Sequence, residues 1–354
     1  MLVNPAARAG TGGTIATRAA ERLREHGIRA TLISGGSAVE STELLREAVR
    51  LGTDAVAVAG GDGTVSLAMQ VLAHSTTPLG IIPAGTGNDL ADMLGIRELH
   101  PDEAADAIVG GLTRDIDLAR ISRHGEPEVY FGSVLASGFD SRVNDRANRM
   151  RWPRGSSRYT IAILRELVGL RSFAYEIELT DAAGSVTRHD GALLMAAVAN
   201  GTSYGGGVQI APRADPADGE LDVVLVRPTH RARFLRLLPR VYRGTHGDVP
   251  EVSMYRARMI RLSAPGVTAY ADRDPIGPLP VQIDVVPRAL RGAGARPGLG
   301  GRVSQDFQLE RATPVARSGH RAQTQGLLCN RPHGRPQQVG KGVSQGPAAA
   351  GQSS

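Results

Sequence analysis

The chain has 354 residues, 41% hydrophobic and 21% charged, with a net charge of +6, the balance of a globular protein of about two domains. Its single cysteine, Cys329, excludes an intrachain disulfide and suits a reducing compartment, and no apolar run reaches the ~20 residues of a membrane-spanning helix. Of the 41 lysines and arginines only Lys341 is a lysine, so any phosphate site in the folded region must use arginine, metal or backbone N–H groups.

In chain order, "MLVNPAARAGTGG" is a short apolar start and a glycine-rich loop, followed by a helical pattern through Arg18, Ala19 and Leu23. "ATLISGG" reads as a short strand, and Ser37 with Glu40 has the capping-box spacing that opens a helix, closed by Gly52. "DAVAVAGGDGTVSLAMQVLA" is a strand, a loop almost without side chains and a helix, and "PLGIIPAGTGNDLADML" repeats the order. Strands alternating with helices predict a parallel sheet, whose ligands sit beyond the carboxyl ends of the strands. Both glycine loops lie at those ends.

From about Asp115 the grammar changes. "RDIDLARIS", "VYFGSVLASGF", "FAYEIELT", "GALLMAAVA", "LDVVLVRP", "ARMIRLSAP", "VTAYAD" and "PVQIDVVP" are short β-rich segments, interrupted by helical patterns at Tyr159–Leu170 and His230–Tyr242. Many strands with few helices predict a β-sandwich. After Leu290 the chain is rich in Gly, Arg, Pro and Ser without periodicity, a composition that does not order itself; the abruptness of the change suggests a frameshifted or extended reading. The expected division is 1–116 α/β, 117–290 β-rich and 291–354 disordered tail.

The GGDGT loop sets several N–H groups at a helix start that already carries partial positive charge, a phosphate cradle. Its glycines allow close approach, and Asp62 can reach a metal or a hydroxyl; the competing reading is a structural turn. The loop Pro83–Asp89 repeats the logic with Thr86 as hydroxyl donor. Asn4 adds a polar group at the first strand end, or caps an ordinary turn. Neither GxxxxGK nor a GxGxxG after the first strand is present, which excludes a Walker P-loop and a Rossmann fingerprint.

Taken in order, "NPAAR", "GGDGT", "PAGTGNDLA", "GFDSRV", "NGTSYGGGVQIAPRADPADGELDVVLV" and "YADRDPIGPLPVQIDVVPRAL" resemble the diacylglycerol kinase catalytic-domain family, with bacterial soluble lipid kinases the nearest in pattern. The resemblance spans residues 1–290 and implies an NAD kinase/phosphofructokinase-like nucleotide domain followed by a β-sandwich. It implies ATP bound by Asn4, Ser34, Gly60, Gly61, Asp62, Gly63, Thr64, Ser66 and Thr86. It also implies Mg²⁺ held by the Asp218 carboxylate and the backbone carbonyls of Asp215 and Glu220, although Asp218-Gly219 also reads as a hairpin turn. The general base of the family ends a D-G-E motif. Here the motif is Asp272-Arg273-Asp274, which makes Asp274 the expected base and Asp62 its competitor. Arg8 also stands where the family usually has glycine, and the first strand is short, so the true start is expected upstream.

The implied reaction moves the γ-phosphate of ATP to a lipid hydroxyl, with diacylglycerol giving phosphatidic acid. Sphingoid bases, ceramide and glycolipids share that chemistry. A soluble-metabolite kinase of the NAD kinase type and a catalytically weak nucleotide- or lipid-binding protein are the alternatives. "FGSVLASGF" and "LLMAAVA" would line an acyl channel or form ordinary core. Arg149, Arg151, Arg154 and Arg158 around Trp152 suit an anionic membrane surface or a solvated loop. The expectation is a cytoplasmic, peripherally membrane-associated enzyme, without nucleic-acid binding and compatible with a homodimer.

Overall fold

Short apolar strands separated by amphipathic helices build the first layer: β1 (Leu2–Val3), α1 (Gly12–Glu25), α2 (Ala38–Arg50), β2 (Val56–Gly60), α3 (Asp62–Leu72), β3 (Leu79–Pro83), α4 (Asp89–Met93) and α5 (Pro101–Val109). The structure, a computed structural model, describes residues 1–4, 12–150, 152, 157–205, 207–294, 303–304 and 309, all within the unit Met1–Thr313. Pro5–Arg8 of the first loop lie outside the described residues, as do Arg151, Arg154 and nearly all of the tail. β1, β2 and β3 are parallel, with Leu2 opposite Val58 and Val56 opposite Leu79. Helix α2 opens with half of the expected capping box: Glu40 N–H donates to Ser37 Oγ at 3.1 Å, while Glu40 Oε2 accepts the N–H of Gly36, one residue before the cap, at 2.7 Å. The strand expected at "ATLISGG" is only a single parallel bridge between Ile33 and Leu2. Thr31, Leu32 and Ser34 are exposed, so no covering layer rewards a longer ladder.

The remainder is β-rich: β4 (Thr113–Ser122), β5 (Val129–Phe131), β6 (Val134–Gly138), α6 (Phe139–Arg149), α7 (Ser157–Val168), β7 (Phe173–Thr180), β8 (Val186–Leu193), β9 (Met195–Ala199), β10 (Leu221–Val226), α8 (Arg231–Tyr242), β11 (Val252–Ala257), β12 (Met259–Ser263), β13 (Thr268–Ala271), β14 (Asp274–Pro278), β15 (Val281–Ala293) and β16 (Val303–Ser304). One sheet runs β11-β10-β9-β6-β13-β14. The other runs β1-β2-β3-β15-β12-β7-β8, with β4 also on β15. β15 joins the parallel and antiparallel parts. Ile283 pairs antiparallel with Ile260, while Gly292 pairs parallel with Leu79, past an irregularity between Val286 and Leu290. The strand therefore runs three residues beyond Leu290.

Leu135, Val198, Val223, Ile260 and Ile283 fill the space between the sheets. Such period-two burial from two facing sheets makes a β-sandwich. The outer face of the smaller sheet is also apolar and is covered by α6, α7 and α8, which contribute Phe139, Val143, Ala162 and Phe234 to a second core. Helix α6 begins at Phe139, where the sequence reads as continued strand, because Gly138 takes φ +78° and turns the chain. A Cβ at that position would lie 2.5 Å from the Leu194 carbonyl oxygen.

Candidate active site

The two glycine loops pack against each other, and this explains most of their glycines. A Cβ on Gly85 would lie 2.6 Å from Gly61 Cα and 2.7 Å from Asn88 Oδ1. One on Gly60 would lie 2.7 Å from Thr64 Cβ, and one on Gly87 would land on the Arg273 guanidinium and Asp62 Oδ2. Real Cβ atoms do not tolerate such distances without backbone movement. Gly63 differs. It is exposed on the first turn of α3, and a Cβ there would meet nothing within 4 Å. Within these two loops Gly63 leaves open space at a helix N-terminus, as Gly13 does in the first turn of α1.

Asp62 ties the loops together. Its Oδ1 accepts the Asp89 N–H at 2.7 Å and its Oδ2 the Asn88 N–H at 3.1 Å. Asn88 holds the turn between them, with φ +57° and Oδ1 accepting the Gly85 N–H at 2.9 Å. Arg273 then bridges two carboxylates, 3.1 Å from Asp62 Oδ2 and 3.1 Å from Asp89 Oδ2, with all three side chains largely buried. Neutralising two desolvated carboxylates with one guanidinium is what makes the cluster tolerable inside the protein.

Asp272, Arg273 and Asp274 form the β13–β14 hairpin. Ala271 pairs with Asp274, leaving two loop residues with φ +47° and +74°. Such a turn needs positive φ at both central positions and favours glycine at the second; the family's D-G-E pattern meets that need, and Arg273 takes the same conformation at a cost of about 1 kcal/mol. The Asp272 carboxylate accepts N–H groups of Gly132, Ser133 and Val134 at 2.8, 2.9 and 3.2 Å. Burial pushes its pKa up to about 7 against those bonds. Asp274 stands at the first residue of β14 with an exposed side chain. Partial burial, then the charge of Asp62, raises its pKa above the usual aspartate value.

On one side of this cluster lies a cleft of about 240 Å³ lined by Val3, Asn4, Gly35, Gly36, Ser37, Ser41 and Thr64. Asn4 and Thr64 are thus brought together; Ser34 is exposed outside the lining, and Ser37 and Ser41 supply the hydroxyls there instead. Ser66 is on the inner side of α3, lining a small cavity with Asp62, Asp89 and Asp272. Thr86 is exposed at the tip of its loop.

On the other side an apolar cavity of about 100 Å³ lies between the smaller sheet and α6, α7 and α8, lined by Phe139, Val143, Ile163, Met195, Phe234, Leu237 and Val252 among others. Phe139 and Met195 come from the two segments expected to line an acyl channel; most of the rest comes from helices. Its few polar groups include Asp140 and Tyr204, whose hydroxyl donates to Asp140 Oδ2 at 2.5 Å. Burial pushes the Asp140 pKa up to about 6. The cavity abuts the charged cluster: its lining residue Tyr159 has the Arg273 guanidinium 5.7 Å from its ring centre, and Gly205 N–H donates to Asp89 Oδ2 at 3.1 Å. Sequence reading passed over Asp89 and Asp140. The acid closing "PAGTGND" and the one inside "GFDSRV" were the available signals.

The expected Mg²⁺ loop is a salt-bridged turn. The Asp218 carboxylate accepts Glu220 N–H at 3.0 Å and pairs with Arg256, which also lies 3.0 Å from Glu220 Oε2. Arg114 takes Asp215 at 3.3 Å, and the buried Asp117 accepts the Gly219 N–H at 2.7 Å. Among the described residues no three His, Cys, Asp or Glu side chains gather as a metal site. The one carboxylate expected to hold the ion, that of Asp218, is paired with Arg256 in this structure.

A glycine-lined helix start at the ends of parallel strands, beside a carboxylate–guanidinium cluster and an apolar cavity, has the features a phosphotransferase needs. Comparison with known proteins agrees. Residues 1–121 match the diacylglycerol kinase catalytic domain, and residues 133–293 match the YegS C-terminal NAD kinase beta sandwich-like domain. The chain is 46% identical over 297 residues to a diacylglycerol kinase of Mycobacterium tuberculosis, covering 84% of this chain and 95% of that protein. A diacylglycerol kinase of Bacillus subtilis is 26% identical over 246 residues, covering 69% of this chain and 78% of that one. A solved Bacillus anthracis structure described as a diacylglycerol kinase superposes with a TM-score of 0.63 at 21% identity, covering 84% and 97%. The chain belongs to the diacylglycerol kinase family and is a lipid kinase.

Proposed function

We propose that this enzyme transfers the γ-phosphate of ATP to the free hydroxyl of diacylglycerol, giving phosphatidic acid. The observation that carries the reading is the apolar cavity ending at Tyr159 and Gly205, against the Arg273–Asp89–Asp62 cluster. ATP lies in the cleft of Asn4, Ser37 and Thr64, its phosphates along the open Gly63 turn of α3, where N–H groups and the helix dipole favour negative charge. The cavity, of about 100 Å³, takes only the part of the lipid next to its hydroxyl, which places the alcohol at the cluster. Mg²⁺ comes with ATP as the nucleotide's counter-ion.

Phosphoryl transfer needs positioning and charge neutralisation more than covalent chemistry. The lipid oxygen bonds to the γ-phosphorus, the bond to the bridging oxygen breaks, and ADP leaves. Asp274, exposed and with a raised pKa, takes the hydroxyl proton. Asp62, both oxygens engaged, organises the loops, and Arg273 holds it and Asp89 in place. An almost wholly apolar lining favours a lipid over a soluble acceptor such as NAD. The absence of a helix long and apolar enough to cross a membrane among the described residues is compatible with a peripheral enzyme on the cytoplasmic side, where ATP is available. Labelled phosphate transfer from ATP, measured with diacylglycerol, a sphingoid base and NAD in parallel, tests the reading; phosphorylated NAD with diacylglycerol untouched would overturn it.

A further inference from the structure

Helices α7 and α8, which wall the apolar cavity, present an unusual outer face. α7 turns Ala162, Glu166 and Leu167 inward and leaves Leu164 and Val168 on its outer side, 51% and 69% exposed. α8 buries Phe234 and Leu237, turns Tyr242 to the cavity and leaves Leu235 44% exposed. Large apolar side chains at helical spacing on a water-facing surface mark a contact site.

The charges around them have one sign. α8 contains no acidic residue, and α7 contains only Glu166, which is buried and held by Arg142 and Arg146. Elsewhere many surface arginines are paired, as in Arg18–Asp102, Arg50–Glu47 and Arg188–Glu178. On α8 only Arg233 has a carboxylate partner, Glu251; among the described residues Arg231, Arg236, Arg240 and Arg243 have none, nor does Arg165 on α7. Basic side chains flanking apolar ones on a helix suit the interface of an anionic bilayer. A second copy docking here would set arginine against arginine. The phosphates of a nucleic acid would leave Leu164, Val168 and Leu235 uncovered.

We propose that the outer faces of α7 and α8 form a docking surface for an anionic lipid bilayer, seating the cavity against the membrane. The inference rests on reading that cavity as the lipid-chain site. It also extends the membrane contact that the sequence suggested at the Trp152 segment, where Trp152 is 81% exposed, to helices on which Arg236, Arg240 and Arg243 are exposed. A lipid would then pass from bilayer to cavity without crossing water.

Flotation of the full chain with vesicles of phosphatidylcholine alone, or of phosphatidylcholine with phosphatidylglycerol, tests this. The wild type is expected to float with the phosphatidylglycerol vesicles only and to be released by salt. The triple variant Arg236→Glu/Arg240→Glu/Arg243→Glu is expected to bind roughly 100-fold more weakly, at about fivefold for each near-surface charge, and Leu164→Asp/Val168→Asp is expected to weaken binding as well. Turnover of a water-dispersed short-chain diacylglycerol, which needs no bilayer, should be unchanged in both variants. Equal binding to both vesicle types, no binding to either, or variants that float like the wild type would overturn the proposal. If a variant loses fold, the salt release of the wild type decides. A wild type that floats as expected but fails to phosphorylate the short-chain lipid would uphold the surface and sink the substrate reading.

Discussion

Alanine at Gly63 and alanine at Gly85 should separate the two reasons a loop carries glycine. At Gly63 the new methyl meets nothing within 4 Å. Because the residue lies in the first turn of α3 with ordinary φ, the change should stabilise the fold by up to about 0.5–1 kcal/mol. The same methyl stands where a phosphate would approach the N–H groups. Loss of one charge-assisted hydrogen bond, about 1.5–3 kcal/mol, weakens ATP binding roughly 10- to 100-fold. At Gly85 the methyl would lie 2.6 Å from Gly61 Cα, and the backbone has to move at a cost of about 1–3 kcal/mol. Its Tm should fall by at least about 2 °C, with or without nucleotide. Thermal unfolding and calorimetric titration with ATP read both quantities on both variants. Unchanged ATP affinity in Gly63→Ala would refute the placement of the phosphates on α3; an unchanged Tm in Gly85→Ala would refute the account of the loop packing.

Asp274→Asn should lower kcat by roughly 10²- to 10⁴-fold with ATP affinity intact, whereas Asp62→Ala should lose Tm together with rate; a fully active Asp274→Asn assigns the base elsewhere. Arg273→Ala strands two buried carboxylates and should cost about 3–5 kcal/mol in denaturant unfolding, while Arg273→Gly should recover about 1 kcal/mol of that because glycine accepts φ +74° without strain. Asp140 has its pKa raised by burial from 3.8 to about 6. The folded state therefore holds the proton more tightly than the unfolded one, and the stability this contributes is complete below about pH 4 and lost as pH rises through about 6. Asp140→Asn, which keeps an acceptor for Tyr204, should match the wild type near pH 4 and exceed it by up to about 3 kcal/mol above pH 7; a difference independent of pH would contradict this.

The order of elements was legible because its causes are local. Strands Val56–Gly60 and Leu79–Pro83 are continuous apolar runs, Ser37 and Glu40 cap α2 within one turn, and most of the sandwich strands carry their own period. The short polar strand β8 (Val186–Leu193) was missed because six of its eight residues are exposed, which leaves no apolar alternation to read. The same local chemistry pointed to the GGDGT loop as a candidate site, since glycines at a helix start leave N–H groups accessible to an anion.

What tertiary structure alone decided is what each of those residues touches. Gly61 and Gly85 are 24 positions apart, and only their meeting shows that both are packing glycines while Gly63 has open space beside it. Arg273 reaches Asp62 and Asp89 across more than 180 residues, and Tyr204 finds Asp140 only because β6, α6 and the loop after β9 converge on one cavity. Pairings of that kind depend on where strands are laid in a sheet. That placement is set by the burial of whole faces and leaves no mark on the residues that end up side by side.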